Sequence, residues 1–439
     1  MRIIPFIVGI CVASAASGAD FDTHFSDSTL RLDYILGGDA SGSHISLQKQ
    51  SKSPCWAGRR HNMDKLPYTG NGQVTVVSKA TGDTLYRNSY STLYQEWLST
   101  DEAKTTPRAM QHTVMVPLPK EPATICVSLL DNRHNTIAGM SHLYRPDDEL
   151  VAIGNNSRTL PHKWLHKGGD SRQAIDVAIL AEGYTPAEMD SFYVHAQTAV
   201  YEILSYEPFK THADNFNFVA VASPSADSGV SVPRINDWKN TAFSSHFSTF
   251  YSDRYLTTGN VFAINDALAG IPFEHIIILA NTPEYGGGGI YNSYTLTAAR
   301  HPMFRPVVVH EFGHSFGGLA DEYFYIGDVM EDSYPADVEP WEPNITTLKD
   351  FDSKWKHLLK DGTPVPTPAT EAGKWGTGVY EGGGYSFKGV FRPADECRMR
   401  NNTYPTFCEA CTAALNRLID FYTKRGCVVI KVYGAASLF

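Results

Sequence analysis

The chain has 439 residues, 42% of them apolar and 19% charged, enough for two or three packed domains. Its formal net charge of −10 repels phosphate backbones and argues against nucleic acid as a general partner. Beyond the N-terminal leader no stretch approaches about 18 uninterrupted apolar residues, so no membrane span is expected in the mature chain.

Residues 1–18 read as a signal peptide. Arg2 is the charged end, 3–13 the apolar core, and Ala13-Ser14-Ala15 or Ala16-Ser17-Gly18 the small-residue cleavage site. An exported protein is therefore expected: secreted, periplasmic or cell-surface. An uncleaved N-terminal anchor is the bland alternative. Cleavage removes Cys11 and leaves Cys55, Cys126, Cys397, Cys408, Cys411 and Cys427, an even set consistent with disulfides whose pairing cannot be read from sequence. Cys408-Glu409-Ala410-Cys411 reads as a disulfide or a free thiol. A single C-x-x-C without a spaced partner is a weak metal signal.

Residues 19–150 read as a β-sandwich. Short runs rich in Val, Ile, Thr and Tyr at 30–36, 73–78, 111–117 and 123–130 are separated by Gly- and Asp-containing turns, with 93–98 as a connecting segment. A polar linker follows at 151–170. Residues 171–427 then alternate compact apolar strands (174–180, 216–222, 273–280) with a helix at 186–204 capped by Thr185, the pattern of an α/β layered domain. Four glycines, 286–289, leave the last of these strands. They suit either close approach to a substrate peptide or a flexible hairpin. Residues 334–368 are loop-rich, a final helix is expected at 407–422, and 428–439 form a short tail.

The chemistry gathers at His310-Glu311-Phe312-Gly313-His314. On a helix, residues four apart share a face, so two imidazoles converge on one point and Glu311 stands beside them without taking a coordination position. Pro306 and an apolar run precede the motif, and Gly317-Gly318 end the helix. Asp321 then follows as an oxygen ligand, with Glu322 as the fallback. The bland reading is a core helix with two satisfied histidines.

H-E-x-x-H, a glycine turn and a trailing ligand resemble the metzincin zinc peptidases. The departure is that their third-ligand position holds Ala320, which the doubled glycine explains as a one-residue insertion before Asp321. Over most of its length the chain also looks like the immunoglobulin A metallopeptidase family of secreted bacterial zinc peptidases. The residues that carry this are 310–323, then 380–393 running into Cys397-Arg398-Met399-Arg400 and Phe407-Cys408-Glu409-Ala410-Cys411, and in the N-terminal part Tyr94-Gln95-Glu96-Trp97 with 100–103 and 116–120. The resemblance implies an α+β multidomain protein, a β-sandwich followed by a metzincin-like α/β catalytic domain. One catalytic Zn2+ would be held by His310, His314 and Asp321, and Met399 would form the turn beneath the metal.

The expected function is that of a zinc-dependent endopeptidase, with a zinc-activated water, Glu311 as general base and a protein or peptide as substrate. Tyr404 is a weak candidate for oxyanion donor. The alternatives are a metal-dependent amidase or deacetylase acting on cell-wall or glycan material, and a non-catalytic glycan- or protein-binding module.

Overall fold

The computed structural model describes residues 20–154, 159–324 and 333–424. The leader, Cys427 and the tail 428–439 lie outside the described residues. The chain is α+β, with many sheets, few helices and a separate N-terminal β domain. Among the described residues no helix is long and apolar enough to cross a membrane.

The N-terminal domain is built from β1 (Phe25–Asp39), β2 (Gly42–Pro54), β3 (Gly72–Ser78), β4 (Thr84–Tyr90), β5 (Arg108–Pro119), β6 (Ala123–Leu130), β7 (Thr136–Tyr144) and the short β8 (Ala152–Ile153). They form two four-stranded sheets, ordered β5-β1-β2-β8 and β4-β3-β6-β7. Alternate residues such as Leu30, Leu32, Tyr34 and Leu36 of β1 and Val74 and Val76 of β3 meet in one shared core, as the period of two in a strand requires. The helix Leu93–Leu98 closes this core with Tyr94 and Trp97, and its first turn is capped by the Thr92 hydroxyl on the Gln95 amide, 3.2 Å. The stretch expected as a linker is partly ordered into sheets. β8 pairs with β2, and β9 (His162–Lys167) becomes the antiparallel edge of the next sheet.

That sheet has six strands: β9, β10 (Ile175–Glu182), β11 (Phe216–Val221), β12 (His275–Ala280), β13 (Gly287–Ile290) and β14 (Tyr294–Ala298), in the order β13-β14-β12-β10-β11-β9. β10, β11, β12 and β14 are parallel and fully buried, which explains their continuous apolar composition. Val177, Ile179 and Ala181 face three helices, Met189–Ser205, Phe304–Ser315 and Glu409–Thr423. Ala178 and Leu180 face a second core built from the long loop after β11 and Val261–Ala267. A two-stranded hairpin, β15 (Tyr380–Gly383) and β16 (Ser386–Arg392), lies between the sheet domain and the last helix in sequence.

Glu182, at the end of β10, is buried and receives four donors: the Thr241 hydroxyl at 2.6 Å, the Phe243 and Ser245 amides at 2.9 Å, and the Ser245 hydroxyl at 2.6 Å. This satisfied carboxylate pins the loop that carries Tyr255 and Leu256 to the glycine strand β13. The N-terminal domain grips the same region. The Ser91 amide donates to the Tyr291 carbonyl (2.9 Å), and Asn292 Nδ2 donates to the Ser89 carbonyl (2.8 Å), both at the β13–β14 turn.

Thr185 and Glu188 form a reciprocal capping box at the start of the turn leading into Met189–Ser205. Burial opposes the charge of Glu188. The Thr185 amide and the Ser228, Thr185 and Asn281 side chains outweigh it and hold the carboxyl down at about 2, against an ordinary 4.5. A folded-state pKa below the unfolded one gives stability that is full above the unfolded value and lost as the pH falls toward the folded value. Glu188→Gln is therefore expected to lower stability at neutral pH by about 1 kcal/mol. In urea unfolding the gap should close as the pH approaches about 2. A gap of unchanged size at that pH would show that the carboxylate charge is not what stabilises the cap.

Candidate metal centre

The helix Phe304–Ser315 places His310 and His314 one turn apart, with His310 buried and His314 mostly so. Gly317 and Gly318 then reverse the chain for two different reasons. Gly318 has a φ of +61°, which favours glycine. Gly317 packs so closely that a Cβ would lie 2.6 Å from the Gly313 carbonyl and 2.7 Å from Leu415 Cδ2. The reversal brings Asp321 back over the helix. Its Oδ1 lies 3.1 Å from His310 Nε2 and 3.3 Å from His314 Nε2, and the two Nε2 atoms are 3.0 Å apart.

The other ring nitrogens decide what these atoms are. His310 Nδ1 is 2.9 Å from the Arg398 carbonyl and His314 Nδ1 is 2.6 Å from the Leu319 carbonyl. A carbonyl only accepts, so each neutral ring carries its proton on Nδ1 and turns the Nε2 lone pair inward. Asp321 Oδ1, buried and without a hydrogen-bond donor, completes three acceptors aimed at one point. Only a cation or added protons relieve that arrangement, and a nitrogen–nitrogen–oxygen set suits zinc. The charges say the same. Burial disfavours a charged His314, yet Asp321 raises it to about 9. Burial would push Asp321 up, yet the two imidazoles hold it far below the carboxylate range.

Around this triad the wall is built from residues far away in sequence. Asp321 Oδ2 accepts a short hydrogen bond from the Tyr385 hydroxyl, and the Tyr385 ring stands edge-on to Tyr323 at 5.3 Å. Burial and then the Asp321 charge push the Tyr385 phenol well up, so it remains a donor. Met399 is fully buried, and its sulfur is packed so closely on Gly313 that a Cβ there would come within 2.7 Å of it. Arg398, whose carbonyl holds His310, is fixed by the Asn402 carbonyl at 2.6 Å and by stacking on Tyr206.

Glu311 keeps partial solvent access beside the two histidines. Burial raises its pKa, and the His310 and His314 charges offset part of that. The glycine strand approaches from the other side. A Cβ on Gly287 would meet Glu311 Oε1 at 2.9 Å, and one on Gly289 would meet the Glu311 carbonyl at 2.3 Å. Gly289 is thus required by contact with the helix backbone, a side chain at Gly287 would press on the Glu311 carboxyl, and the outer side of Gly287 is already bridged by Tyr255. Tyr255 also donates to Glu96 of the N-terminal helix, whose carboxyl burial pushes up to about 7.

Of the residues singled out from sequence, the structure brings together His310, Glu311, His314, Asp321 and Met399. Glu322 points away, with its Oε1 3.0 Å from Asn344 Nδ2 and 3.0 Å from Cys411 Sγ. Tyr404 is half-exposed with its amide on the Asn401 carbonyl, and among the described residues its hydroxyl bonds to none of the cluster. The Tyr285 and Tyr323 phenols, raised by burial and then by the charges of both Asp321 and Glu311, are nearer the cluster's charge. All five described cysteines are free thiols, where the even count suggested disulfides.

No curated protein matches the chain. The profile described as IgA Peptidase M64 matches residues 164–376, and the one described as Peptidase M64 N-terminus matches residues 20–140. Together they span most of the sequence, including the glycine strand, the H-E-x-x-H helix and Asp321, and the chain therefore belongs to the IgA Peptidase M64 family, as a metallopeptidase that hydrolyses peptide bonds.

Proposed function

We propose that His310, His314 and Asp321 hold one zinc ion, that Glu311 carries the proton during hydrolysis of a protein or peptide, and that the catalytic domain is metzincin-like. The observation that carries this is the set of three inward lone pairs left when both Nδ1 protons are committed to carbonyls. A zinc ion in such a site polarises a carbonyl and brings the pKa of water toward about 7. Glu311, adjacent and with its pKa raised, accepts the water proton and passes it to the leaving amine. Asp321 supplies charge to the ion and is kept in one orientation by Tyr385. The glycine-ended helix, the ligand just beyond it and Met399 against Gly313 support the metzincin likeness.

Export rests on residues 1–18, with their charged start, apolar core and small-residue end. N-terminal sequencing of the protein recovered from its native host is expected to begin near Ala19. Recovery with Met1 in place would overturn export by cleavage.

Glu311→Gln is expected to keep its metal, measured by elemental analysis, while kcat for a peptide substrate falls at least about 100-fold. Activity within a few-fold of wild type would sink the proton role. Tyr385→Phe removes the donor on Asp321 Oδ2 and should weaken zinc binding about 10–100-fold. Titration of activity against buffered free zinc reads this directly, and an unshifted midpoint would show that the phenol does not orient the ligand.

A further inference from the structure

On the far side of the Asp321–Glu322 peptide, four buried side chains meet. The chain alternates there. The Asp321 and Tyr323 carbonyls accept from the Gly384 and Tyr385 amides on one side, and the Glu322 amide donates to the Met399 carbonyl on the other. Asp321 therefore faces the histidines while Glu322 faces Cys397, Cys408 and Cys411. The four donor atoms lie within 4.8 Å of one another. Cys397 Sγ and Cys411 Sγ are 3.8 Å apart, and Glu322 Oε1 is 3.0 Å from Cys411 Sγ and 4.0 Å from Cys408 Sγ.

These separations are far from the S–S bond of a disulfide, about 2.05 Å. The Cys397–Cys411 separation fits a sulfur–sulfur edge of a zinc tetrahedron, and the two Glu322 separations lie on either side of its sulfur–oxygen edge. Zinc–sulfur bonds of about 2.3 Å and a zinc–oxygen bond of about 2.0 Å give sulfur–sulfur edges near 3.8 Å and sulfur–oxygen edges near 3.5 Å. Burial raises the Cys397 and Cys411 thiols, and a bound cation is what deprotonates such sulfurs; the nearby backbone supports the resulting thiolates. The Cys408 and Met399 amides point at Cys397 Sγ from 3.3 and 3.5 Å, and Cys408 and Cys411 lie at the N-terminal end of Glu409–Thr423. Glu322 Oε2 is buried with no hydrogen-bond partner, a costly state for a carboxylate unless a cation shares it. Arg392, the guanidinium that senses Glu322, commits its donors to the Glu381, Gly382 and Ala394 carbonyls and to Asp395.

We propose that Glu322, Cys397, Cys408 and Cys411 form a second, structural metal site for a thiophilic divalent ion, zinc foremost, separate from the His310–His314–Asp321 cluster. All four ligands come from protein and are buried, which leaves no open position for substrate. An ion there ties the residue after Asp321 to the segment that supplies the Arg398 carbonyl and Met399, and both to the last helix. The weak lone C-x-x-C thus gains Cys397 and Glu322 as its missing partners.

The test is metal content and cobalt spectroscopy on the full chain. Two zinc ions per chain are expected for wild type, and one each for His310→Ala/His314→Ala and Cys408→Ser/Cys411→Ser. With cobalt, wild type and the histidine variant should show the intense near-ultraviolet band of thiolate-to-metal charge transfer, which a two-histidine, one-carboxylate site cannot produce. If the cysteine variant does not fold, the spectra of the other two proteins decide alone. One ion per chain without that band, or a disulfide between any two of Cys397, Cys408 and Cys411 in the zinc-supplemented protein, overturns the site. The two sites fail separately, because loss of the band leaves the histidine cluster untouched.

Discussion

The hydrogen bond from His310 Nδ1 to the Arg398 carbonyl joins the H-E-x-x-H helix to the segment that precedes the last helix. It fixes a ring orientation and a tautomer at once, and its partner is 88 residues away. Its counterpart on His314 is local, closing onto Leu319 just past the helix end. One imidazole is therefore aimed by the glycine turn and the other by a distant segment. That segment is held in turn by Arg398 against Tyr206 and by Met399 against Gly313. Geometry of this kind, in which outer contacts set the donor direction, is what metal affinity depends on.

The N-terminal domain belongs to the same construction. Ser89 and Ser91 hold the β13–β14 turn, and Glu96 holds Tyr255, which bridges to Gly287. The glycine strand is thus clamped between the sandwich and the H-E-x-x-H helix. It has no room for a side chain at 289, and one at 287 would displace the Glu311 carboxyl. The N-terminal domain thereby shapes the wall beside Glu311.

Sequence made the helix, its glycine ending and the two histidines legible, because helical spacing alone puts them on one face. Compact apolar runs likewise exposed three of the four parallel strands, whereas β14, with its alternating threonines, carried no such run. The preference for Asp321 over Glu322 rested on the doubled glycine alone, since both are carboxylates one residue apart. What separates them is the side of an extended chain each takes, and hydrogen bonds to Gly384, Tyr385 and Met399 set that. Tyr385 escaped for the same reason. It lies 64 residues from Asp321, and only a hairpin with no local signal of its purpose brings it back. The cysteines misled in the other direction. An even count suggested pairing, whereas three of them converge on one another and on an acid without forming an S–S bond.

The distance along the chain between His310 and Arg398 has a consequence for biosynthesis. A growing polypeptide that has emerged as far as Asp321 already contains both imidazoles and the carboxylate. It still lacks the carbonyl that orients His310, the phenol on Asp321 and the thioether against Gly313. The cluster reaches its final geometry only after Met399 has been made, so a molecule that ends soon after Asp321 has the donors of a hydrolytic site without its alignment.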